Sequence, residues 1–184
     1  GADRLIGNGG RGVQASYASS PAAVFVDLAA GWARDGWGST DTLVNIRRVA
    51  ATSPWDDTVL GSAGDDLFLS GAEGSKRFDG RGGSNESRYV GAGDVRIVLA
   101  SEVAGLFRLE PRAEKPGGTD RLIGITVAVG GAGNDLIRGS TADERLAGGP
   151  GDDTLVGGGG HDTVFYDVHS AAAGLPWRGA VVDL

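Results

Sequence analysis

The chain has 184 residues, 40% of them hydrophobic and 22% charged, with a formal net charge of −7 and a pI of about 4.7. That length suits one domain, and that charge disfavours nucleic acid and anionic membrane surfaces as partners. There is no Cys, which excludes disulfides, thiolate metal sites and cysteine catalysis, and no apolar run approaches the roughly eighteen residues of a membrane span.

The N-terminal GADRLIGNGG does not read as a signal peptide. DRLIGNGGRG instead reads as the tail of a turn-and-strand roll, 1–17, that is already under way and ends at Tyr17. An inter-roll segment, 18–51, follows, with an alternating strand VFVDL at Val24–Leu28 and a second strand TDTLVNIRRV from Thr40. Between them, GWARDGWGS places Trp32 and Trp37 five apart. A second roll, 52–89, opens with TSPWDDTVL and GSAGDDLFL, nine apart and in frame, so that Asp57 and Asp66 hold the same place. Ser70 then breaks the register, and GAEGSKRFD and GRGGSNESR put Lys76 and Asn85 where Asp belongs. The segment 90–129 repeats the first insertion, with VRIVL at Val95–Leu99 and TDRLIGITVAV from Thr119. Within it, Ser101–Leu109 is expected to form a short helix capped by Ser101, with Glu102 in its first turn. Four nonapeptides then run without a gap through 130–166: GGAGNDLIR, GSTADERLA, GGPGDDTLV and GGGGHDTVF, closed by Tyr166. The last stretch, 167–184, starts another insertion and ends in AVVDL at Ala180–Leu184. Both ends cut a repeat, so a segment of a longer polypeptide is expected.

Three of the four nonapeptides fit G-G-x-G-x-D-x-U-x, where U is a large apolar residue, the signature of calcium-binding parallel coils. The first six residues suit a turn and the last three a strand, with Ile137, Leu146, Leu155 and Val164 as core residues. A flexible Gly-rich linker has no reason to hold an apolar residue at every ninth position. If nine residues make half a coil, residues eighteen apart stack, which places Asp135 over Asp153 and Glu144 over Asp162. Carboxylates stacked at about 4.8 Å repel by roughly 1–4 kcal/mol per pair. A hard cation reverses that sign. Calcium, with six to eight oxygens at about 2.3–2.6 Å, bridges such a gap, and magnesium fits it worse. Turn carbonyls near Gly131, Gly133, Gly149, Gly151, Gly158 and Gly160 complete the expected ligand set. Lys76 cannot ligate a cation, so its turn is expected to be a weak or empty site in which the lysine charge stands in for the ion.

GGAGNDLIR, GGPGDDTLV and GGGGHDTVF resemble the repeats-in-toxin (RTX) family, the hemolysin-type calcium-binding repeats of secreted bacterial proteins. The resemblance implies an all-β fold built as a parallel β-roll or solenoid, export through a type I system, and folding on several Ca2+ ions outside the cell. It carries metal-ligand roles onto Asp57, Asp66, Asp135, Asp153 and Asp162, with Glu144 as a longer substitute. Gly12, Lys76 and Asn85 depart from the pattern.

No H-E-x-x-H, G-x-S-x-G or P-loop is present, and the Asp residues that could mimic a glycosidase pair fall at metal positions. His161 and His169 read as turn and loop residues. Trp32, Trp37, Trp55 and Trp177 can stack on a sugar or a partner, but burial on the roll or between modules is the larger stabilising term. The expected function is therefore structural, a calcium-loaded module of a secreted or cell-surface protein, without catalysis of its own, partnered by calcium and by neighbouring modules or a surface matrix. The alternatives are the accessory or secretion domain of an extracellular enzyme (polysaccharide epimerase, protease or lipase) and an adhesin or surface-layer spacer.

Overall fold

A computed structural model describes residues 1–8, 12–104, 107–165 and 180–183; the side chains of 102–109 and of 180–183 are outside the description. Tyr166, His169 and Trp177 lie outside the described residues. The protein is all-β, with no helix among the described residues. The strands are two to six residues long and most alternate buried with exposed, as short rungs between turns must.

Two sheets face each other across one core. The seven-stranded sheet is parallel throughout, running Gln14–Ser16, Arg48–Ala51, Leu67–Ser70, Asn85–Tyr89, Ile125–Val129, Arg145–Ala147 and Thr163–Val164. Its inward row is Ala15, Val49, Phe68, Ser87, Ala128, Leu146 and Val164. The opposing row in the twelve-stranded sheet includes Val26, Val59, Phe78, Leu122, Ala113, Ile97, Ile137 and Leu155, all 0–1% exposed. Phe68 and Phe78 stack across the core with ring centroids 5.3 Å apart. The expected coil length is observed, since Ile137 pairs with Leu155 and Leu146 with Val164, each eighteen residues on.

The twelve-stranded sheet is mixed, and here the structure differs from a purely parallel roll. Each insertion runs out along Phe25–Asp27, back along Trp32–Arg34 and out again along Thr40–Val44. The second does the same with Arg96–Val98, Arg112–Lys115 and Gly118–Ile123. Each set of three stands in reverse chain order between two parallel rungs, so the large sheet gains three strands where the small one gains none. That is why the small sheet passes directly from Asn85–Tyr89 to Ile125–Val129.

The helix expected at Ser101–Leu109 is absent. Glu102–Ala104 pairs antiparallel with Phe107–Leu109. Gly105 stands at the centre of that sequence, where glycine weakens a helix and favours a reversal.

Because Phe78 is fully buried against Phe68, Phe78→Ala is expected to cost about 3–5 kcal/mol. Urea melts monitored by circular dichroism check this, and a loss under about 1 kcal/mol contradicts a single shared core.

Candidate metal centre

Most turns meet their neighbours through two ladders of side-chain hydrogen bonds. At the sixth turn position, a side-chain oxygen accepts the backbone N–H of the sixth residue one layer earlier. Asp135 N–H donates to Asp153 at 2.9 Å, Glu144 N–H to Asp162 at 3.0 Å, and Asp66 N–H to Asn85 Oδ1 at 3.0 Å. At the fifth position the sense is opposite. The N–H of Asp152 donates to Asn134 Oδ1, that of His161 to Asp143 and that of Ser84 to Asp65, each at 2.8 Å. The fifth-position acceptors were not foreseen in the sequence, although Asp or Asn recurs there at Asp56, Asp65, Asn134, Asp143 and Asp152.

The turn carbonyls crowd the next layer. A Cβ on Gly149, whose φ is +111°, would meet Gly131 O at 2.3 Å, and one on Gly151 would meet Gly133 O at 1.8 Å. The opposite edge repeats this, with Ser140 O and Ala142 O each 2.3 Å from a Cβ on Gly158 and Gly160. Glycine is thus required by the carbonyl above it. Ser140 and Ala142 join the candidate oxygens because position in the turn, not residue type, sets where a carbonyl points.

The carboxylates in these gaps are short of positive charge. Asp135 is buried, accepts from Val95 N–H and Gly131 N–H, and is raised to a pKa of about 6 chiefly by burial. Burial also raises Asp153, and it raises Glu144, where neighbouring Asp162 adds to the effect. Glu144 is 1% exposed; Ser140 Oγ binds its Oε1, while its Oε2 is buried without a hydrogen-bond partner. A buried acceptor-only oxygen without a donor costs roughly 1–3 kcal/mol. Among the described residues no three Asp, Glu, His or Cys side chains converge on one point. A cation held here would take its oxygens from one or two carboxylates and several carbonyls, which is chemistry that suits calcium.

Upstream turns supply their own donors. The Lys76 ammonium, fully buried, donates to Ser53 O at 2.7 Å and to Trp55 O, and pairs with Asp57 at 3.2 Å. Asp57 also accepts from Ser53 Oγ at 2.8 Å and Val24 N–H at 2.9 Å. Lys115, on a back-running insertion strand, repeats the device one layer on: it donates to Glu73 O and Gly74 O and pairs with Asp120 at 3.1 Å. On the other edge, the Asn85 amide donates to Gly82 O and Gly124 O, both at 3.0 Å. Arg47 reaches Ser62 Oγ at 3.2 Å, beside buried Asp66, which itself accepts Ser62 N–H at 2.6 Å. Tyr17, at the end of the first roll, donates to Asp41 at 3.2 Å, and buried Tyr89, at the end of the second, lies beside Asp120.

A family model of the RTX calcium-binding nonapeptide repeat, in four copies, matches residues 56–76, 117–143 and 138–167. The chain carries RTX calcium-binding nonapeptide repeats. No curated protein matches the chain. The RTX match includes both Asp120 and the turn that ends in Lys76. Repeats with a built-in ammonium and repeats without one therefore share a single pattern.

Lys76→Met would leave Asp57 buried and unpaired, an expected loss of about 3–5 kcal/mol in chelator. Paired melts of both proteins check it, and equal midpoints would show the ammonium to be dispensable. In chelator, Asp135 binds its proton more tightly folded, at about 6 against 3.8, than unfolded. Its contribution therefore favours folding below about 4 and is lost as the pH rises through about 6. Melts in chelator should weaken over that window, and in calcium the trend should reverse, because the ion competes with the proton.

Proposed function

We propose that the chain is a calcium-loaded β-roll module of a secreted or cell-surface protein, and that its role is structural. The observation that carries the reading is Glu144 Oε2, buried and without a partner in a turn stack whose other oxygens are carbonyls and carboxylates. Calcium would be held in two kinds of place. One lies between turns 130–135 and 148–153, with Asp135, Asp153 and the carbonyls of Gly131 and Gly133. The other lies between 139–144 and 157–162, with Glu144, Asp162 and the carbonyls of Ser140 and Ala142. The ion supplies the positive charge that offsets stacked carboxylates. The chain's own residues do the rest: the two ladders set the turn spacing, and the glycines admit the carbonyls. Asp57 is assigned to its ammonium partner rather than to a metal.

Coupling follows from this arrangement. The oxygens meet only in the folded chain, so the binding energy of the ion becomes folding energy. In a calcium-poor compartment the acidic, Gly-rich roll stays open and exportable, and outside the cell it closes. The match to RTX calcium-binding repeats supports this setting.

The test is a calcium titration of the chain followed by far-ultraviolet circular dichroism, with magnesium as control. The expected result is a gain of β structure with calcium alone. Asp153→Asn and Glu144→Gln should each raise the midpoint by about tenfold or more. Full β structure in chelator, with no response to calcium, would reject the reading.

A further inference from the structure

The outer face of the twelve-stranded sheet carries a row of side chains that no single segment of sequence displays. Arg77 is the direct strand partner of Arg121, and Arg121 of Arg112. Two strands further on, beyond Val98, which is fully buried and interrupts the exposed row, stands Arg138. Three strands the other way, through Thr58 and Phe25, the row reaches Arg34. At about 4.8 Å per strand the uninterrupted stretch from Arg34 to Arg112 is roughly 24 Å long.

Few acids answer these arginines. Asp79 pairs with Arg77 at 2.9 Å, and Glu114 is shared between Arg112 at 2.7 Å and Arg96, one row over, at 3.3 Å. Arg34, Arg121 and Arg138 are exposed and have no ion-pair partner among the described residues. Like charges directly opposite one another destabilise a sheet. Nothing in the fold requires them here, since the same outward row accepts Thr58. A basic face on a chain of net charge −7 is a local reversal of sign. At one end lies an aromatic pair: Trp32, 37% exposed on the strand of Arg34, with its ring stacked on Phe25 at 5.3 Å.

We propose that this row binds a linear acidic polysaccharide with a carboxylate or sulfate on its sugar rings. Guanidinium groups recognise both anions by paired hydrogen bonds. Their spacing across the rungs is close to that of successive pyranose rings along a chain, and Trp32 offers the flat apolar surface on which a pyranose face rests. Duplex nucleic acid fits less well, because it carries a charge every 1.7 Å or so and would meet the acidic turns that border the sheet. The inference needs the sheet to be folded and does not depend on the calcium reading.

The test uses the full chain, with folding verified by circular dichroism, on immobilised heparin and on polygalacturonate at about 50 mM salt. Neutral dextran and duplex DNA are the controls. Both acidic polymers should retain the protein and release it with salt, dextran should not, and DNA should bind more weakly. Arg121→Ser should weaken retention by about tenfold. Arg145→Ser, on the seven-stranded sheet, should leave it unchanged. Arg138→Ser repeats the test at an exposed strand end, should Arg121→Ser fail to fold. Failure of the unaltered chain to bind, equal losses in the variants of the two sheets, or tighter binding to DNA would each overturn the proposal.

Discussion

The structure depends on how the turn edges manage negative charge. Short parallel rungs bring each turn to within one strand spacing of the next, and every turn presents carbonyl oxygens and acceptor side chains to that gap. Hydrogen bonds to backbone N–H groups satisfy part of this demand, as at Asp135 and Asp153. The remainder calls for a positive charge or an extra donor. The core between the sheets is ordinary by comparison, a ladder of Val, Ile, Leu and Phe that any two-sheet protein would recognise.

Two solutions coexist in one chain. In the turns around 52–85, the donors are built in: two ammonium groups, one amide and one guanidinium. In 130–165, burial without such a donor raises Asp135, Glu144 and Asp153 and leaves Glu144 Oε2 without a partner. The substitution of Lys76 for Asp is therefore a change of cation rather than decay of the repeat.

Much of this was legible in the sequence because one period governs both backbone and side chain. A spacing of nine predicted the eighteen-residue coil, the pairing of Ile137 with Leu155 and the stacking of Glu144 above Asp162. Lys76 was legible too, since it stands where Asp belongs. Lys115 was not. It lies outside the nonapeptide frame, on a strand that runs backwards, and only the fold brings it to Gly74. The Ser140 and Ala142 carbonyls were hidden because their residue types carry no glycine signal. The arginine row was invisible for a stronger reason: Arg77, Arg112 and Arg121 become neighbours only through a strand order that inverts the chain. The failed helix at 101–109 shows the opposite error, a local capping signal outweighed by antiparallel pairing within the same short segment.

The ammonium cradles also change what a binding curve would count. A gap closed by Lys76 or Lys115 has the same free energy at every calcium concentration, so it contributes nothing to the steepness of a folding transition driven by that ion. In the proposed calcium-loaded roll the number of ions taken up would then be smaller than the number of turn layers, with the two lysines marking where the ion-linked part of the array stops.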